Sequence, residues 1–292
     1  MSDVSPQIAK TKEIRELASQ EVEKVFRQAA LPLSEQQFAH LLGQHFRDNI
    51  ELYESGWYNP PPGGISALFA PANNPGRLLY DSLRKPEFWP RQDCHFAQDS
   101  IGLIYCSPLD REGGATGDFG LTVYNGGDLK IQNHIKKCLA VMETVAEATQ
   151  VGLEFRQLYT YAQVLFKDNG LTNARTVSVT DPAGTSIGHT VPFTDTPLQD
   201  HEHSIIHSQN FEEVKDLVSE NRIFINPAQE YKIHENGAFT VEARLEDAND
   251  RRLPNAFFHL LVTFENGRKT IRENFHYIFE ALGMEQWIKS KY

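Results

Sequence analysis

The sequence predicts an α+β protein of one domain, in which two helix-helix-strand halves share a curved antiparallel sheet. Two observations point there. The run from Gln37-Phe38 to Phe46-Arg47-Asp48-Asn49 reappears, displaced by 120 residues, as Gln157-Leu158 to Phe166-Lys167-Asp168-Asn169. Each copy is preceded by a further helical stretch and followed by strand-like segments.

The elements follow in order. Ile8 to Ala30 reads as helix, and residues 34–49 carry Phe38, Leu41, Leu42 and Phe46 at helical spacing. Gly56 to Gly64 holds three consecutive prolines and must be loop, and Phe69 to Pro75 is turn-rich. Asp99 to Cys106 and Gly120 to Tyr124 have the β-branched and aromatic content of strands. Leu129 to Thr149 and residues 154–169 form the second helix pair. Arg175 to Val179, Ile223 to Ile225, Ala238 to Leu245 and Ala256 to Phe264 read as strands, and Phe211 to Glu220 as a short helix. Glu265-Asn266-Gly267 signals a hairpin. No stretch has linker composition, so residues 1–292 form one domain with halves of about 1–127 and 128–292.

Composition removes whole classes of function. A chain of 292 residues, 40% hydrophobic and 23% charged, has enough apolar content for a sizeable core. A net charge of -11 disfavours nucleic acid and anionic membrane surfaces. No apolar run is long enough for a membrane span, and Met1 to Pro6 lacks the basic and apolar regions of a signal peptide, so a cytoplasmic location is expected. Cys94, Cys106 and Cys138, odd in number and widely spaced, read as reduced and mostly buried thiols. A small-molecule or peptide substrate remains, and the chain is compatible with a homodimer.

Three acid or imidazole side chains stand in apolar or glycine-rich settings. They are Asp118 within Gly117-Asp118-Phe119-Gly120, His189 after Gly188, and Glu242 after Phe239-Thr240-Val241. Such a scatter is how a metal site assembled on a sheet looks in sequence. Each has a plainer alternative: a turn-capping Asp, a core His on a carbonyl, and a Glu neutralised by Arg244 two residues on.

The order and settings of these three resemble the pita-bread metallopeptidases, the family of methionine aminopeptidase, proline dipeptidase, aminopeptidase P and creatinase. Asp118, Thr122 and Gly126 reproduce the spacing of that family's Asp-x-x-x-Thr segment and its following Gly. Gly188-His189 matches its Gly-His pair without the second Gly-x-Gly, and Phe239 to Glu242 matches its Phe-Thr-Ile-Glu-Pro with Ala243 for the proline. The resemblance implies the pita-bread fold, which is built from duplicated helix-helix-strand halves. It also implies a C–N bond hydrolase.

The ligand set departs from the family at two positions. Ser107 stands where the family has its other Asp, and no Glu lies in Ala256 to Thr263, where its last Glu is expected. Depending on register, Phe257, Phe258 or His259 takes that place. The expectation is a mononuclear site of Asp118, His189, Glu242 and His259 for one divalent ion, whether Fe, Mn, Co or Zn. In Asp200-His201-Glu202-His203, the resemblance makes His201 and His203 catalytic candidates beside Glu242, the alternatives being a second metal patch or a solvated loop. Arg77 is the candidate for a substrate carboxylate, the alternative being a surface Arg.

Three classes of function follow. The first is a diverged metal-dependent hydrolase, an enzyme with little ordinary aminopeptidase activity. The second is a mononuclear non-haem iron oxygenase on the same fold. The third is a non-catalytic binding protein.

Overall fold

The computed structural model describes every residue except 1–3, 178–180, 182 and 290; the start of the N-terminal segment and the Val179 end of one expected strand therefore lie outside the described residues. Helix α1 (Ser5–Gln28) buries Ile8, Thr11, Ile14, Ala18, Val22 and Val25 along one stripe. Helix α2 (Glu35–Asp48) opens on a capping box between Ser34 and Gln37 and buries Phe38, Leu42 and Phe46. Two residues before α2 form β1 (Leu33–Ser34), paired with β3 (His95–Phe96). Strands β2 (Ile65–Pro71), β4 (Ser100–Cys106) and β5 (Phe119–Asn125) complete this half.

The second half repeats the plan. Helix α3 (Leu129–Glu147) is followed by α4 (Phe155–Asp168), which opens on the equivalent capping box between Glu154 and Gln157. The two short helices therefore share length, cap and register at the 120-residue displacement seen in the sequence. Strands β6 (Leu171–Asn173), β7 (Gly237–Asp247) and β8 (Ala256–Glu265) follow, and β9 (Arg268–Arg272) folds back on β8. Asn266 and Gly267, both at positive φ, make the tight turn there.

The sheet order β2-β4-β5-β8-β7-β6 is antiparallel throughout. In each half the third strand lies at the centre and the first at the edge, so the halves meet where β5 touches β8 at Leu121 and Phe258. This is the pita-bread fold. The helices pack on the sheet through a shared core in which Phe26, Phe38, Phe69 and Phe96 interlock beneath α1 and α2, and Phe119, Phe258 and Phe275 meet near the centre.

Four local expectations are corrected. Phe69 to Pro71 belongs to β2 rather than to a turn, because Ala67 to Ala70 are buried and pair along β4. The described part of Arg175 to Val179 is not strand: after β6 the chain bonds once to β7, Ala174 N to Arg244 O, and then leaves it. Ile223 to Ile225 forms only bridge contacts with Gly188 to Thr190, outside the named strands. Residues 200–208 form a helix, α5 (Asp200–Ser208), because Gln199 and Glu202 make a capping box and Ile206 is buried beside α6 (Phe211–Glu220). A last helix, α7 (His276–Ala281), packs on α1. No described helix is long and apolar enough to cross a membrane.

Candidate metal and acid–base site

Asp118 sits immediately before β5, where the chain passes under α1. A Cβ on Gly117 would lie 2.4 Å from Ile14 Cγ2 and 2.7 Å from its carbonyl carbon, so only glycine permits this approach. The closeness lets Arg15, 1% exposed on the buried stripe of α1, donate to the backbone carbonyls of Asp118, His259 and Glu273. The Asp118 carboxylate reaches toward Trp57 and Tyr105. Its Oδ1 accepts from Trp57 Nε1 at 2.5 Å and from the Tyr105 hydroxyl at 3.4 Å.

His189 is brought in by the same device. Gly188 has φ +137°, and a Cβ there would lie 2.0 Å from Thr240 O. The segment is therefore laid directly on β7: His189 N donates to Thr240 Oγ1 at 3.0 Å, Thr240 N to His189 O at 2.8 Å, and Glu242 N to Ile187 O at 2.9 Å. Glu242 and His259 face one another as direct cross-strand partners of β7 and β8, which fixes the register that the sequence left open. Phe257 pairs with Arg244.

The four side chains converge. His189 Nε2 is 3.9 Å from Asp118 Oδ2 and 3.6 Å from Glu242 Oε1, and His259 Nε2 is 3.4 Å from Glu242 Oε2. Ligand atoms of Asp118, His189 and His259 all lie within 4.8 Å of one another. Donor separations of this size suit a single cation bonded at about 2.0–2.2 Å to each donor.

The two imidazoles differ in what holds their other nitrogen. His189 Nδ1 is 2.9 Å from the Thr190 carbonyl, which only accepts, so Nδ1 carries the proton and the Nε2 lone pair faces both carboxylates. His259 Nδ1 is 3.0 Å from Arg15 Nη1, which only donates. In its neutral form His259 therefore carries its proton on Nε2, a buried atom that makes no hydrogen bond and faces Glu242. By proximity alone His259 is a ligand; by proton placement it is a donor. The proton argument is the stronger, because an imidazole held in this tautomer has no lone pair to give.

Burial raises the Asp118 carboxyl to about 6, against the opposing pull of Trp57, Arg222 and Arg15. Burial, with Asp118 adding to it, raises Glu242 to about 8. His189 is held neutral, its pKa brought down to about 3 by burial and by Arg222. Burial and Arg15 keep His259 neutral as well. Arg222 lies over the rings of Trp57, at 4.2 Å, and Phe224, at 5.0 Å. Arg15 is lowered by burial only to about 10 and stays charged at neutral pH.

Beyond Glu242 a pocket of about 110 Å³ opens between Tyr58, Tyr80, Tyr105, Phe224 and Phe257, with Arg222 and Arg244 in its wall. Arg244 does not neutralise Glu242. Its Nη1 donates to Tyr80 O and its Nη2 to Arg175 O at 3.0 Å.

Other expected residues lie elsewhere. His201 and His203 are exposed on α5 and are not in the pocket wall, because α5 turns only Glu202 and Ile206 inward. Arg77 is held by the fully buried Glu35 at 2.8 Å and by the carbonyls of Glu87 and Trp89, which occupies its guanidinium in the fold. Ser107 is packed against the loop at Gly64, donating to Gly64 O at 3.2 Å and accepting from Tyr58 N at 3.1 Å. Trp57, Tyr105, Arg15 and Arg222 were not singled out from the sequence. Arg15 alone left a signal there, an arginine in register with Thr11, Ala18 and Val22 on an otherwise buried helical stripe.

No family model matches the sequence, and no curated protein matches it. Solved structures share the fold at low identity. The X-Pro aminopeptidase from Thermotoga maritima MSB8 is 13% identical at a TM-score of 0.59, over 92% of this chain and 61% of that one. The methionine aminopeptidase from Rickettsia prowazekii is 12% identical at 0.61, over 91% and 96%. The prolidase from Pyrococcus furiosus is 13% identical at 0.56, over 90% and 63%. This chain thus spans about three fifths of the length of the X-Pro aminopeptidase and of the prolidase.

Proposed function

We propose that this protein is a metal-dependent hydrolase of a C–N bond in a small molecule, using one divalent ion held by Asp118, His189 and Glu242. The orientation of His189 carries the reading. Its protonated Nδ1 is satisfied by Thr190, and its Nε2 lone pair is aimed between two buried carboxylates at 3.6 and 3.9 Å, too long for a hydrogen bond to either. Two carboxylates and a neutral imidazole form a donor set of hard oxygen and borderline nitrogen that takes Zn, Mn, Co or Fe. When bound, the cation supplies Lewis acidity at the scissile carbonyl and lowers the pKa of water.

The remaining roles fall to this chain's own groups. Trp57 and Tyr105 hold Asp118 by its Oδ1, leaving Oδ2 toward His189. Glu242, part-exposed toward the pocket, is the group placed to move a proton to or from a ligand there. His259 turns its Nε2 proton toward Glu242, 3.4 Å from Oε2, without a formed hydrogen bond to it. The iron-oxygenase alternative needs His259 as a second imidazole ligand, which the Arg15 contact opposes.

A second reading has its own support. Arg15 and Arg222 set two fixed positive charges against Asp118 and Glu242, so the cluster approaches neutrality without a cation, as a binding protein or a metal-free acid–base site requires. Titration with Co²⁺ separates the two. Visible absorption bands saturating at one equivalent and weakened in Glu242→Gln support the metal reading, and an unchanged spectrum throughout the titration supports the second.

A further inference from the structure

We propose that the exposed face of α5 carries a second metal site, in which His203 and His207 chelate one divalent transition-metal ion and Asp200 stands as a third donor. The site lies apart from Asp118, His189 and Glu242, and the proposal does not rest on the reading given to that cluster.

The helix sets the two rings side by side. His203 and His207 are four residues apart on α5 (Asp200–Ser208), so they stand on one face, one turn from each other. Both are exposed, and their ring centres are 6.1 Å apart with planes at 49°. Two imidazoles that share one ion at about 2.0–2.1 Å bring their centres to roughly 5 Å. A turn of the His203 ring, which makes no hydrogen bond among the described residues, closes that difference.

His207 already has the tautomer that coordination requires. Its Nδ1 lies 2.7 Å from the His203 carbonyl, which only accepts, so in the neutral ring Nδ1 carries the proton and Nε2 keeps its lone pair. Asp200 falls one turn before His203 on the same face, and among the described residues its exposed carboxylate enters no hydrogen bond or ion pair. His201 is left out, because two residues before His203 it lies about 160° away around the helix.

The backbone under these side chains is fixed by other contacts. The capping box of Gln199 and Glu202 closes the first turn, and Ile206 is buried in an apolar cluster with Val214, Leu217 and Val218. An ion therefore has only side chains to order. Imidazole donors favour Cu²⁺, Ni²⁺ and Zn²⁺ over Mg²⁺ and Ca²⁺. With water in its remaining positions the ion is held less tightly than in a closed site. It leaves on dialysis and does not enter the count of ions carried through preparation.

The test is calorimetric titration of the full chain with Ni²⁺, with Mg²⁺ as the hard-ion control. The chain carries His189→Ala so that the buried cluster does not compete. Wild type is titrated in parallel, so that the outcome does not depend on how that variant folds. One Ni²⁺ is expected to bind on α5, and Mg²⁺ is expected not to. Adding His203→Ala or His207→Ala is expected to weaken Ni²⁺ binding by more than the roughly tenfold that even a partner outside the ligand set contributes. His201→Ala is expected to change nothing. Ni²⁺ held equally well without His203 and His207, no uptake of Ni²⁺ in either background, or an equal loss in His201→Ala overturns the proposal.

Discussion

Arg15 Nη1 lies 3.0 Å from Nδ1 of His259, and because a guanidinium cannot accept, this one contact decides which nitrogen of the imidazole carries the proton. The consequence is a division of labour between two histidines that distance alone would treat alike. His259→Ala is therefore expected to keep its metal, with affinity reduced by no more than the roughly 10- to 100-fold that a neighbour outside the ligand set contributes. Equilibrium dialysis of the variant checks this, and complete loss of uptake would make His259 a ligand after all.

Trp57 donates to Asp118 Oδ1 at 2.5 Å and is 1% exposed. Removing the donor while keeping an aromatic ring, as in Trp57→Phe, leaves Asp118 with the weaker Tyr105 contact. Metal affinity is expected to fall by about 10- to 100-fold with little change in the circular dichroism spectrum. An unaltered affinity would mean that Asp118 is not oriented through this bond.

The duplicated fold was legible in the sequence because it is written in features of short range. The capping pairs Ser34/Gln37 and Glu154/Gln157 and the apolar stripes of α2 and α4 repeat at a fixed displacement, and each is specified within about one helical turn. Asp118, His189 and Glu242 were legible for a related reason, since Gly117 and Gly188 mark places where backbone must touch backbone. Trp57 and Arg222 were not, because their roles come from stacking across loops far apart in sequence, with no local pattern to announce them. His201 and His203 misled because a run of His and Glu looks the same on an exposed helix as in a site.

Ordinary peptidase turnover is expected to be very slow. Ser107 is fixed in hydrogen bonds to Gly64 and Tyr58, and the strand position facing Glu242 is His259, so a second cation finds neither of the carboxylates it would require. Peptides beginning with Met or Xaa-Pro should be cleaved far below about 1 per second. Turnover at that rate or faster, followed by chromatography of the products, would show a complete ligand set formed from other residues.

Glu273 is fully buried, and burial, with Glu143 adding to it, raises its pKa to about 8 from an ordinary 4.5, against the Tyr292 N–H and Arg15. Between those pH values the folded chain holds a proton that the unfolded chain has released. The stability this group contributes is therefore complete below about pH 4.5 and is lost as pH rises through about 8. Glu273→Gln keeps the neutral form, so its Tm should fall less than that of wild type between pH 6 and pH 8.5. Parallel Tm curves for the two proteins would place the charge elsewhere.

The most direct measurement of the central claim is the metal content of protein prepared without chelator, compared with His189→Ala prepared in the same way. The account predicts one equivalent of a divalent ion in wild type and none in the variant, both proteins remaining folded. Two equivalents in wild type, none in wild type, or an undiminished equivalent in His189→Ala would contradict it.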